Sequence, residues 1–322
     1  MSRYYRIEIE GGPTYTSLEN GVTNPAALHV EMDIPVAPFA SPAQTGAFVK
    51  VWGVPLSVIS QAQDLRFKGI KVYGGFQKGL PLANPAQAGL LVQGYIFPVF
   101  GNWIGTDQSL DLIIAPGPPP LDLKNPATPR NLTINWKQGQ PLSDAIRSAL
   151  ATAYQGYTAD ITINQNLKLL QDEAAYFSSL EAFARYVRAT SKSIIKTMTY
   201  PGVDIVLRDK KFVVRDNTST SGSIDKEVAF HDLIGQPTWI EAPFIQFKTM
   251  MRADLSVGEQ VTLPKTMVTN SAQAQASLIN QNVSFQGKFQ ISSVRHVGSY
   301  RQATADAWVT VFEAFPLQVV AQ

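Results

Sequence analysis

The chain has 322 residues, is 45% hydrophobic and 16% charged, and carries 27 basic against 25 acidic residues, a formal net charge of +2. That length and apolar content support two or three domains with real cores and exclude broad disorder. The near balance of charge excludes a dedicated nucleic-acid binder, whose domain would be visibly basic. Cysteine is absent, which excludes a disulfide framework, thiolate metal sites and cysteine nucleophiles. Low charge with 22 Gly, 21 Pro and many neutral amides points to β-structure and to surfaces that meet other subunits, because an amide is cheaper to desolvate than a charge. No apolar run reaches the length of a membrane span, and Met1–Gly12 has no apolar signal region. The expectation is a protein without a membrane anchor, made in a cytoplasm.

Residues 1–115 read as a β-domain. Tyr5, Ile7 and Ile9 alternate with Arg6, Glu8 and Glu10; Leu28, Val30, Met32 and Ile34 alternate with His29, Glu31 and Asp33. Each is the pattern of a half-buried strand. Further extended stretches cover 47–52, 65–76, 90–100 and 109–115. A helix is expected over Pro55–Leu65, opened by Pro55, with Leu56, Ile59 and Gln63 on one side. Residues 116–130 hold Pro116, Pro118, Pro119, Pro120, Pro126 and Pro129 and read as a stiff connector.

Residues 131–228 read as a mixed α+β insert. Leu132, Ile134 and Trp136 alternate as a strand, and a helix follows Pro141 with Leu142, Ala145, Ile146, Ala149 and Leu150 on its buried side. Ser178 and Glu181 form a capping-box pattern at a second helix. Residues 203–207 and 212–214 flank Asp209–Lys211 as a hairpin. From 229 to 322 β-patterning returns, with strands expected at 244–246, 255–257, 261–263, 285–295 and 307–315. Residues 270–282 fit either a short helix or a loop. No clean internal sequence repeat is present, so a duplicated fold would have to be argued from architecture.

No catalytic or metal constellation emerges. His29, His231 and His296 lack ligand spacing; His231 reads as a turn or interface residue and His296 as a solvent-facing strand residue. There is no G-x-S-x-G elbow, and Gly74–Gly79 lacks the G-K-[ST] end of a phosphate loop. Asp107/Asp111 and Asp172/Glu173 sit in polar stretches where solvated carboxylates are the default, though carboxylate pairs are set in three dimensions. The sequons at Asn131, Asn217 and Asn282 lack a secretion signal. Lys68 and Lys71 near Tyr73 and Phe76 are read as a strand face rather than a base-stacking patch. No catalytic, cofactor-binding or metal residue is assigned, and no cofactor is expected.

The strings Lys50–Leu56, Ile70–Gly75, His231–Trp239, Met251–Glu259, Phe289–His296 and Trp308–Phe312 together resemble the baseplate hub proteins of contractile-tailed bacteriophages, of the Mu-like and late-control-protein-D-like kind. The resemblance implies two tube-like β-barrel domains, 1–115 and 229–322, flanking the mixed domain. It implies a homotrimer that presents six barrels to a sixfold tail tube and joins it to a threefold central spike in the virion baseplate. Its partners would be the tail tube protein, the central spike protein, other baseplate proteins and the tape measure protein, with DNA passing transiently. The long Pro-rich loop 35–46 would place Pro38, Phe39 and Pro42 at a subunit interface; a loop packed on its own domain is the alternative. Two other functions compete: a cell-wall-degrading tail enzyme, and a glycan-binding tail protein in which Trp103 or Trp239 stacks on sugar, although core positions are the commoner use of Trp.

Overall fold

The computed structural model describes residues 2–41, 46–77, 85–124, 128, 130–197, 200–208, 210–216, 226–241, 244–264 and 287–317. The segment 270–282, expected as either a short helix or a loop, the polar residues 217–223 and Pro42 lie outside them.

The first half holds β1 (Arg3–Ile9), β2 (Thr14–Thr16), β3 (Leu18–Glu19), β4 (Val22–Thr23), β5 (Val30–Val36), β6 (Ala47–Trp52), helix α1 (Leu56–Ser60), β7 (Gly69–Phe76), β8 (Gly89–Ile104) and β9 (Asp107–Pro116). The middle unit holds β10 (Leu132–Trp136), α2 (Leu142–Ala153), β11 (Thr158–Thr162), β12 (Glu173–Phe177), α3 (Leu180–Ile195), β13 (Asp204–Arg208) and β14 (Lys211–Arg215). The last half holds β15 (Lys226–Glu227), β16 (Thr238–Glu241), β17 (Phe244–Met250), β18 (Gln260–Leu263), β19 (Gly287–Ser299) and β20 (Trp308–Pro316). The fold is thus mainly β, with large antiparallel sheets and a mixed insert, as the alternating patterns predict.

Both halves belong to one sheet of thirteen strands among the described residues. Along it the first half runs β5-β6-β9-β8-β7-β1 and the last half runs β16-β17-β20-β19-β18-β15. These orders match strand for strand in chain sequence: first with first, second with second, through to the sixth. Every pairing in both sets is antiparallel except β15–β18, which is parallel. Even the longest strands agree, since β8 and β19 each carry a register shift partway along. The duplication that the sequence does not display is therefore present in the topology.

The ends of the first half's path curl toward each other. The Tyr5 hydroxyl on β1 donates to Leu28 O, just before β5, at 2.7 Å, and Arg3 Nη1 donates to Ser299 O at 2.8 Å. One core collects the inward residues of β1, β5, β6, β7, β8 and β9, as a barrel-like sheet requires. A second core fills the middle unit, and a third fills the last half.

Several expectations need correction. The helix Pro55–Leu65 is a short α1 followed by a 3-10 turn at Ala62–Leu65. The N-cap of α3 is Ser179, whose hydroxyl accepts from Ala182 N at 3.2 Å; a cap reaches the third helical N–H, and Ser178 lies one residue too early. Residues 255–257 are irregular rather than a strand, although Leu255 and Val257 are buried in the third core. β12 was not expected from the sequence; it pairs with β10. His296 is buried, not solvent-facing: it lies in register between Thr310 of β20 and Ile34 of β5, both buried, on the inward face of the sheet.

Candidate functional site

The place where the two halves fuse is the most elaborately built part of the molecule. β19 is long enough to serve both. Its first residues, Gly287–Gln290, pair with β18, and Val294–Ser299 pair with β5 of the first half. β17 and β20 cross the same boundary, so Met251 and Trp308 sit in the first core although they lie in the last third of the chain. Trp308 Nε1 donates to Gly75 O at 2.9 Å. Gly298 makes this possible, because a Cβ there would fall 2.7 Å from the Trp308 ring and 2.8 Å from Met32.

Between the apolar cores lies a buried polar belt. His296 Nδ1 is 2.9 Å from Thr310 Oγ1, and the same hydroxyl accepts from Arg252 N at 3.1 Å. Complete burial pulls the imidazole pKa down to about 3, so His296 is neutral. Arg252 is buried and forked: its Nε and Nη2 each donate to Asp254 at 2.7 Å, and Nη1 donates to Asp232 at 3.2 Å. Gln87, from the first half, also donates to Asp232 at 3.4 Å, while Ala253 N donates to Gln87 O at 2.7 Å. A desolvated guanidinium is tolerable only with such partners. The strings His231–Trp239 and Met251–Glu259 thus meet at one buried ion cluster.

The middle unit is tied to the first half by Phe39. Its ring is buried in the middle core with Leu132, Phe212 and Val203, and its N–H donates to Ile205 O at 2.9 Å. Pro38 is buried as well. Within a single chain the loop therefore packs on the middle unit rather than on the domain it belongs to. An apolar cavity of about 290 Å³ lies where the three units meet, between Val36, Phe39, Leu91, Pro116, Val206 and Val257.

On the open face of the sheet the charges are matched: Lys50 with Asp111 at 3.7 Å and Arg295 with Asp33 at 2.5 Å across strands, Arg6 with Glu8 at 3.0 Å along β1, and Lys248 with Asp306 at 3.0 Å in the turn before β20. A shallow concavity over the β5–β19 seam is lined by this same face. The remaining notable surface is apolar. Phe97, Phe100, Trp103 and Ile104 are exposed on the far half of β8, and Trp239 and Ile240 are exposed on β16. Both tryptophans that the sequence would place in a core are at the surface.

Among the described residues no further chemistry-bearing cluster forms. Among the described residues no group of three His, Cys, Asp or Glu could hold a metal ion, and no helix is long and apolar enough to cross a membrane. His231 is exposed beside Asp232, and Asp172 bonds Lys137 at the surface. Asp111 pairs with Lys50, away from Asp107 at the tip of the β8–β9 hairpin. Gly74 and Gly75 lie inside β7, where Gly74 lets Leu91 and Met251 pack against the backbone. Sequence reasoning missed Arg252, Asp232 and Thr310; a buried ion cluster has no periodic signature, and only the spacing of Arg252 and Asp254 within one turn could have hinted at it.

No protein-family model and no curated protein matches the chain. Solved structures do. A tail protein from Neisseria meningitidis MC58 is similar over 98% of this chain and 97% of its own, with TM-score 0.53 and 12% identity. The 43 kDa tail protein of prophage MuSo2 from Shewanella oneidensis is similar over 99% and 100%, with TM-score 0.54 and 8% identity. A chain of the half-lidded Francisella PdpA-VgrG complex is similar over 98% of this chain and 58% of its own, with TM-score 0.50 and 6% identity. At such identities the likeness is one of fold: this chain is folded like these two tail proteins over its whole described length.

Proposed function

We propose that the chain is the structural hub of a contractile phage tail baseplate, a trimer joining the sixfold tail tube to the threefold central spike and continuing the channel for DNA. The observation that carries the reading is the repeated strand order within one chain. Three copies of a chain with two like-built halves present six similar units in a ring, which suits a sixfold neighbour, while true threefold symmetry suits the spike. The domains are then 1–115 and 229–322 as alternating tube-like units, with 131–228 as the insert beside them. The whole-length likeness to two tail proteins supports a place in the virion tail, reached by assembly in the host cytoplasm. The open sheet face lines the channel: its paired charges present no fixed cation row to hold the phosphate backbone. The role is architectural rather than enzymatic.

Symmetry in particle images, with copy number per ring, tests this. Three copies at the junction of tube and spike is the expected result. Six copies per ring would make the protein a tube subunit instead. Clearing of host cell wall by the purified protein, lost on mutating one carboxylate, would turn the assignment toward an enzyme.

A further inference from the structure

The cavity where the three units meet has the make-up of a ligand site. Protein interiors pack closely, with few voids larger than a water molecule, yet this one is about 290 Å³. A dry cavity of about 150 Å³ already takes a benzene ring. Each core gives it a wall: Leu91 from the first, Phe39 from the middle and Val257 from the last, all buried. Its polar groups are few. At the rim the exposed Arg208 donates to Glu259 at 3.0 Å, and Ser256 N donates to the same carboxylate at 2.8 Å, so the cation there is already neutralised. Gln93, near the start of β8, also lines the cavity. Its amide oxygen is buried and accepts no hydrogen bond, the one such side-chain atom among the described residues that line the space. A buried acceptor without a donor is destabilising, and a molecule that brings both apolar bulk and one donor relieves it.

We propose that this cavity binds a compact, uncharged, mainly apolar molecule whose single N–H or O–H donates to Gln93 Oε1. The volume suits a body of about ten heavy atoms. A charged ligand is disfavoured by the same surroundings: it would lose its water against Leu91 and Val257, with Glu259 already holding Arg208. Water is a poor occupant too, because a buried water needs two to four polar partners and the walls offer one unpaired acceptor. Entry is from the side of Arg208, where the lining is exposed. The site is complete within one chain and needs no assembled ring. Because its walls come from all three units, a ligand that binds only the folded chain also stabilises their junction.

Indole and benzofuran are matched probes, alike in shape, with the N–H donor present only in indole. The full chain is titrated with each by isothermal calorimetry. The expected result is saturable binding of one indole per chain, with benzofuran roughly tenfold weaker, the worth of one hydrogen bond to a buried acceptor. Gln93→Met keeps the length of the side chain without the acceptor, and is expected to bring the two affinities to within about threefold. Ala253→Leu fills one wall, and is expected to weaken both probes by about tenfold or more. Circular dichroism checks that each variant is folded; the wild-type pair of titrations decides even where a variant is not. Indole binding that does not saturate at one per chain overturns the proposal, as does equal binding of indole and benzofuran. An indole preference that survives Gln93→Met, or affinities unchanged in folded Ala253→Leu, puts the binding elsewhere and overturns it as well.

Discussion

The two halves of the sheet follow one strand plan and diverge at the point where the second strand ends. After β6 the chain turns at Gly53, with φ +77, and buries Val54 in its own core before α1 begins. After β17, at the matching positions, Met251 enters the core of the other half and Arg252 follows as a buried charge. The first half closes on itself; the last half reaches across. The difference teaches that a duplicated plan can be fused into one body by changing a single connection, with an apolar residue for self-closure and a forked cation for bridging. It also explains why no sequence repeat survives: Val54 and Arg252 hold equivalent positions but answer to different neighbours.

The comparison breaks most readily at Arg252. Arg252→Ala strands the Asp232 and Asp254 carboxylates in a buried site, and removing one partner of such a pair costs about 3–5 kcal/mol. Urea unfolding followed by tryptophan fluorescence and circular dichroism is the measurement. Coincident loss of both signals at lower urea is expected, because Met251 and Trp308 bind the halves into one cooperative unit. Two separated transitions in the wild-type protein would show that the halves fold independently. Arg252→Lys keeps the charge but loses the fork to Asp254, so it recovers only part of the stability.

His296 sharpens the same point through pH. Its folded-state pKa lies near 3 against 6.5 in the unfolded chain, so between those values the unfolded state binds the extra proton. The stabilisation is complete above pH 6.5 and is lost as pH falls toward 3, by on the order of 5 kcal/mol. The charged groups nearest this belt are Arg252 with Asp232 and Asp254, joined to it through Thr310. Against wild type, His296→Gln keeps a hydrogen-bonding side chain at Thr310 and flattens the urea midpoint between pH 4 and 6.5. An unchanged slope in that variant would place the proton uptake elsewhere.

How much of this was legible beforehand depends on period. Strands such as β1, β5 and β6, half-buried with strict alternation, read directly from Tyr5–Ile9, Val30–Ile34 and Ala47–Val51. The helix α2 was equally plain from Leu142, Ala145, Ile146 and Ala149. What fails is anything set by partners distant in sequence. His296 looks solvent-facing beside Arg295 because alternation gives faces but not which face is covered. Trp103 and Trp239 look like core residues because nothing local reveals that their side chains reach the surface. The site residue Phe39 shows the same limit: its Pro-rich loop was recognisable, but its acceptor, Ile205, lies 166 residues away.

Phe39 also tests whether the middle unit is as firmly joined as the two halves are. Phe39→Ala removes a buried ring from the middle core while leaving Trp136, Phe183 and Phe212 in place. A loss of about 3 kcal/mol is expected for a buried Phe. Limited proteolysis is expected to cut first in the connector 116–130, leaving the middle unit attached to the last half with its helical circular dichroism retained. Cleavage inside α2 or α3 instead would mean that the middle core itself depends on the docking.

The smallest expected effect is at the ion pair over the inner seam. Arg295 grips Asp33 with two hydrogen bonds, of 2.7 and 2.5 Å, and both side chains are exposed. Water already solvates each partner and salt screens their attraction, so Asp33→Asn is expected to cost only about 0.2–1 kcal/mol. The continuous backbone ladder from Val294 to Ser299, with Trp308 and Met32 packed beneath it, holds the seam without help from the pair. Thermal unfolding of the variant at low and high salt is the check. A loss beyond 2 kcal/mol, present equally at both salt concentrations, would mean that the seam depends on this contact.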